Sequence, residues 1–172
     1  MILANNVFLV GPMGAGKTTM GRVLANLLKK QFVDLDSEIE RRCGADIPWI
    51  FDVEGEAGFR DREAGVLADL CGRSGMVVAT GGGAVLRPEN RKLLQESGYV
   101  IYLQVSAQEL YERTRTDTNR PLLQVANRRE VIDRLLSERE HLYREVADLS
   151  YTGNRRGPKY AAEEILRQMA AT

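Results

Sequence analysis

The sequence predicts an α/β protein built on a mostly parallel sheet with helices on both faces. Two observations carry this reading. Five short apolar runs, Asn6–Val10, Gln31–Leu35, Met76–Thr80, Tyr99–Gln104 and Ala147–Thr152, are mostly β-branched or aromatic and read as strands. Longer stretches with helical periodicity lie between them. Strand–helix–strand alternation of this kind covers a parallel sheet on both sides.

The first strand runs into GPMGAGKT, Gly11 to Thr18, which fits G-x-x-x-x-G-K-[ST] and opens a helix. Glycines let the backbone wrap a phosphate with successive N–H groups pointing inward, and the helix N-terminus adds partial positive charge. Lys17 can reach the β- and γ-phosphates, and the Thr18 hydroxyl can bind Mg²⁺. Gly16–Lys30 then carries Met20, Val23, Leu24, Leu27 and Leu28 on one stripe, as a helix packed on the sheet requires.

FVDLD in the second strand sets Asp34 and Asp36 two residues apart. In extended chain both carboxylates project to one side, and like charges held together call for a cation or a proton-transfer task. On its own the stretch also reads as a solvated turn with a helix cap. Beside a phosphate loop, Asp34 is placed for Mg²⁺ and Asp36 for the proton of an attacking hydroxyl. Ser37-x-x-Glu40 and Ser106-x-x-Glu109 read as capping boxes.

A helix from about Glu56 to Cys71 has Phe59, Glu63, Val66, Leu67 and Leu70 on one stripe, which Arg60 borders and Glu63 interrupts. TGGG, Thr80 to Gly83, follows the strand MVVA and offers bare backbone N–H groups, or else a loose turn. RTRTDTNRPLL, Arg113 to Leu123, is polar and arginine-rich, and reads as a lid whose Arg120 can meet a phosphoryl group; the alternative is a solvated loop. Asn127 can cap a helix from Arg128 to Val146. On it Arg139 stands inside the apolar face, seven residues from Ile132 and from Val146. A guanidinium there needs a partner: Glu63 as a structural pair, or a substrate carboxylate gripped bidentately by two inward arginines.

Composition excludes some partners. The chain has 172 residues, 44% hydrophobic and 28% charged, with 24 basic residues against 24 acidic. Nothing suggests a nucleic acid or a membrane surface held by bulk charge, and no apolar run approaches a membrane span. MILANNVFLVG has no basic leader, and Cys43 and Cys71 form no CxxC, so a reduced, cytoplasmic chain is expected.

Taken together, GPMGAGKTT, DLD, FRDRE, ATGGG, RPLL and a late arginine followed by LY resemble the shikimate kinase family, in order and spacing, over nearly the whole chain. The resemblance implies one domain over residues 1–172, a P-loop NTPase of nucleoside-monophosphate-kinase-like, three-layer αβα form with a five-stranded parallel sheet. Substrate-binding helices are expected at about 37–71 and a lid at about 113–126. It implies ATP-dependent phosphorylation of the 3-hydroxyl of shikimate, on the route to chorismate and the aromatic amino acids, with Mg²⁺ as cofactor; a monomer is expected. Carried over by position, Gly14, Ala15, Gly16, Lys17, Thr18 and Thr19 match the ATP-phosphate segment, with Thr18 and Asp34 at Mg²⁺. Asp36, Arg60, Gly82 and Arg139 match the shikimate contacts, with Glu63 orienting the arginines. Arg120 matches the lid arginine, and Arg113 and Arg156 the positions that sandwich adenine. Asp36, Lys17 and Arg120 would carry the catalysis. His141 departs from the pattern, standing where R-x-P-L-Y has proline. Gluconate kinase or another small-molecule kinase of this fold is the rival enzyme, and a dead nucleotide-binding regulator the rival from outside enzymes.

Overall fold

The computed structural model describes residues 5–118, 120–153 and 156–172. Residues 1–4, Asn119 of the lid stretch, and Asn154 and Arg155 of NRRGPK lie outside the described residues. Five strands, β1 Asn6–Val10, β2 Gln31–Asp34, β3 Met76–Ala79, β4 Gly98–Gln104 and β5 Leu149–Thr152, form one sheet in the order β2-β3-β1-β4-β5. Every neighbouring pair is parallel. The helices are α1 Lys17–Leu28, α2 Leu35–Cys43, α3 Ile47–Cys71, α4 Pro88–Ser97, α5 Ala107–Arg113, α6 Arg128–Val146 and α7 Pro158–Ala170. A 3-10 turn, Pro121–Leu123, lies between α5 and α6.

The strands read as unbroken apolar runs because both faces of the sheet are buried. Val7 and Leu9 point toward α1 and α7, where Met20, Leu24, Ala162 and Ile165 pack. Phe8 and Val10 point the other way, toward Ile39, Leu67, Leu94 and Tyr143 of α2, α3, α4 and α6. The chain moves from one side of β1 to the other after β3, and ligands of such sheets bind at that switch, beyond the carboxyl ends of the strands.

Several local expectations need correction. β2 ends at Asp34, one residue early, because Asp34 is the N-cap of α2: its Oδ1 accepts from the Ser37 N–H at 3.0 Å. Ser37 is therefore inside the helix and caps nothing. Asp36 stands in the first helical turn, so shared strand geometry is not what brings the two acids together. Ser106 does cap α5, accepting from the Glu109 N–H at 3.2 Å, but the Glu109 carboxylate turns to Arg113. Asn127 sits at the N-cap of α6 without a side-chain cap, its amide donating to Glu130 instead. In α1, Leu27 is exposed; the helix packs through Met20, Gly21, Leu24 and Ala25.

The helix expected from Glu56 is the second half of α3. Its first half, Ile47–Glu54, falls within the span expected for substrate-binding helices but has no apolar stripe of its own in that reading, and the two halves meet at Gly55, whose φ of 73° and ψ of 179° break the helix. That conformation is essentially restricted to glycine. Arg62 bridges the break, donating to both carboxylate oxygens of Glu54 at 2.6 and 2.9 Å.

Candidate active site

β1 delivers the phosphate loop. Gly14 and Gly16 take left-handed φ values of 84° and 93°, turning the chain into α1 at Lys17. The Lys17 ammonium folds back over the loop and donates to the carbonyls of Gly11 and Pro12. Burial, then Arg120, pulls its pKa down to about 7, while Asp36 and Asp34 oppose the fall. Ala15 is buried at the loop's base; Thr18 and Thr19 are exposed on the first turn of α1.

Thr18 Oγ1 donates to Asp34 Oδ2 at 2.6 Å, joining α1 to the end of β2. A hydroxyl and a carboxylate beside a phosphate loop are the hard oxygen donors Mg²⁺ takes, and Mg²⁺ uses few protein ligands when substrate phosphates supply others. The residues present fit the ion. Among the described residues no cluster of three or more His, Cys, Asp or Glu offers a self-sufficient metal cage.

β3 delivers the glycine turn. The Thr80 N–H and hydroxyl both donate to the Leu9 carbonyl, at 3.1 and 2.8 Å, which fixes this turn against β1 and hence against the phosphate loop. Gly81, Gly82 and Gly83 then line a cleft of about 410 Å³, open to solvent. α2 contributes Asp36; α3 contributes Ile47, Phe51, Phe59, Arg60 and Glu63; α6 contributes Arg139; the lid contributes Arg120, Pro121 and Leu122. Met13 of the phosphate loop lines the cleft as well, against Gly82.

The cleft holds charge under tension. Glu63 is fully buried and pairs with Arg60 Nη1 at 3.0 Å, leaving its Oε2 without a hydrogen-bond partner. Arg139 is 5% exposed with its Nε likewise unpartnered. The structural pairing considered for Arg139 and Glu63 is therefore not the ion pair that forms; Glu63 pairs with Arg60. Asp36 Oδ1 is also buried and unpartnered. Burial first, then Asp34, raises the Asp36 carboxyl, and burial first raises that of Glu63 against the pull of Arg60. Two guanidinium groups and an unpartnered carboxylate around a glycine floor suit a small polar acid, whose own carboxylate would occupy the arginines.

Arg120 caps the 3-10 turn and pairs with Asp117 at 2.6 Å. Arg113 donates to the Gly14 carbonyl at 3.2 Å and pairs with Glu109, so it lies on the phosphate loop. Arg156 lies over the Tyr160 ring, 4.8 Å from its centroid, and donates to its hydroxyl. Sequence reasoning missed the apolar wall of Ile47 and Phe51, together with Met13, Pro121 and Leu122. Pro48 and the break at Gly55 hid the wall helix from a periodicity search, and lid residues carry no periodicity at all.

Comparison with known proteins agrees with this geometry. The sequence pattern of the family described as Shikimate kinase matches residues 13–170. The shikimate kinase of Hahella chejuensis is 52% identical over 167 residues, 97% of this chain and 87% of the other. That of Pseudomonas paraeruginosa is 53% identical, over 95% of each chain. The solved structure of the Acinetobacter baumannii shikimate kinase in complex with shikimate superposes with a TM-score of 0.95 at 49% identity, covering 97% of this chain and 93% of that one. With the phosphate loop from Met13 onward, the glycine turn, Arg60 and Arg139 inside the matched span, the chain belongs to the shikimate kinase family.

Proposed function

We propose that this chain transfers the γ-phosphoryl group of ATP to the 3-hydroxyl of shikimate, giving shikimate 3-phosphate and ADP on the cytoplasmic route to chorismate and the aromatic amino acids. One observation carries the reading: Asp36, Arg60 and Arg139 share a single cleft with the glycine turn, and that cleft borders the phosphate loop through Met13. Arg60 and Arg139 grip the ring carboxylate and so aim the hydroxyl, while Glu63 holds Arg60 in register. Asp36 accepts the hydroxyl's hydrogen bond and takes its proton as the oxygen bonds to phosphorus and the bond to the bridging oxygen of ADP breaks. Lys17, Arg120 and the N–H groups of Gly14 to Thr19 stabilise charge on the phosphoryl oxygens. Thr18 and Asp34 would hold Mg²⁺, which would neutralise phosphate charge. Arg113 and Arg156 flank the adenine in this reading. The lid from 113 to 126 closes over both substrates and excludes water, the competing acceptor.

The chain acts as one domain and as a monomer. Its exposed large apolar residues among those described are Leu27 of α1, Trp49 and Val53 one turn apart on α3, and Val125 of the lid. No helix among the described residues is long and apolar enough to cross a membrane. The test is a coupled ADP-release assay with shikimate, with gluconate and with no acceptor. ADP release driven by shikimate alone supports the reading. Faster turnover with gluconate points to the rival kinase, and no ADP release with any acceptor to a dead nucleotide-binding regulator.

A further inference from the structure

Tyr143 has no part in the transfer described above, yet its hydroxyl ends in the frame of the acceptor cleft. The side chain is buried, and its ring stacks on Tyr102 with centroids 5.2 Å apart. Its hydroxyl donates to the Gly82 carbonyl at 2.6 Å, joining α6 to a turn 61 residues away in sequence. Arg139 stands one helical turn before it on α6. Arg139 Nη1 in turn lies 3.6 Å from where a Cβ on Gly82 would stand. Gly82 and Arg139 line the acceptor cleft, and Tyr143 lines an apolar cavity, with Leu123 and Ile132, that shares Arg139 and Met13 with it.

Resting on the reading of this cleft as the shikimate site, we propose that Tyr143 is a positioning residue for the acceptor's carboxylate. Its hydroxyl ties the Gly82 peptide to α6 and so fixes the glycine turn relative to Arg139. Ring packing alone does not account for the bond. Tyr102, the stacking partner, is equally buried, and its own hydroxyl has no hydrogen-bond partner among the described residues. The pair therefore packs without both hydroxyls being bonded. Thr80 anchors the start of the glycine turn to β1, and the Tyr143 bond anchors its middle. A bidentate guanidinium site tolerates only small displacement of the groups that face it, so a turn left free to shift beside Arg139 would loosen its grip.

The experiment compares the full chain with Tyr143→Phe and Tyr102→Phe by steady-state kinetics and thermal melting. Tyr143→Phe keeps the ring and removes the hydroxyl. Its KM for shikimate should rise about tenfold, the equivalent of one hydrogen bond, while kcat and the KM for ATP hold. Tyr102→Phe should leave both KM values at wild type. An active wild type whose shikimate KM is untouched by Tyr143→Phe overturns the proposal alone. So does an equal rise in both KM values, or a lowered Tm with both KM values intact, which would mark a purely structural hydroxyl. A wild type with no shikimate-dependent ADP release overturns the reading of the cleft and the proposal with it.

Discussion

The guanidinium of Arg60 fills the space in which a Cβ on Gly83 would stand, while its Nη1 pairs with the buried Glu63 at 3.0 Å. The glycine turn is thus a seat for an arginine as well as a floor for a substrate. Gly83→Ala should push the guanidinium off its seat and away from Glu63. Shikimate affinity should fall on the order of 10- to 100-fold, the scale of a charge-assisted hydrogen bond lost, with ATP affinity unchanged. Calorimetric titration with each substrate checks this; an alanine variant with wild-type shikimate affinity would show that Arg60 does not hold the acid.

Arg139→Leu separates binding from architecture. Glu63 keeps its Arg60 partner in this variant, so no buried acid is stranded. Leucine carries no charge to desolvate, and the free protein should melt at or above the wild-type temperature. Shikimate binding should weaken by about 2–5 kcal/mol, as when one partner of a buried charge pair is truncated. A large drop in Tm together with intact shikimate affinity would return Arg139 to a structural role.

Asp36→Asn keeps a side chain that hydrogen-bonds but cannot take a proton. The loss should fall mainly on kcat, on the order of 10²–10⁴-fold. If kcat holds and the shikimate KM rises, Asp36 positions the hydroxyl and the proton leaves another way.

Glu63 predicts a pH dependence of stability. Burial raises its carboxyl above the ordinary 4.5, with Arg60 opposing. The folded chain then keeps a proton that the unfolded chain has released, so this contribution is complete below 4.5 and is lost as pH rises through the elevated value. Glu63→Gln removes the titration. Its Tm should therefore decline less than that of the wild type as pH climbs from 4.5 toward neutrality. Parallel curves for the two proteins would contradict the assignment.

How much of this was legible in the sequence depended on which force sets each feature. β1 was read with the bounds observed and α6 close to them, β1 as an unbroken apolar run and α6 by its apolar period. Arg139 and Glu63 stood out as charges inside apolar stripes, and both are buried. Asp34 and Asp36 were rightly flagged as a pair, but for a mistaken reason. A side chain that ends a strand and caps a helix cannot be told from a strand residue by alternation alone. The wall segment of α3 and the seat of Arg60 on Gly83 depend on a break in the helix and on approach between distant elements, and neither has a period to detect. The Tyr143 hydroxyl is not visible in the sequence pattern, because its partner is a backbone carbonyl far along the chain.

The break at Gly55 divides the lining that α3 gives the cleft into two parts. Ile47 and Phe51 form its apolar wall on one side of the break; Phe59, Arg60 and Glu63 form its anchoring floor on the other. The two halves of α3 do not share one continuous helical register. A change of bulk in the wall is therefore not transmitted along the backbone to the seat of the guanidinium. Substitution at Ile47 or Phe51 should change which ring outlines the cleft admits while Arg60 keeps its pair with Glu63.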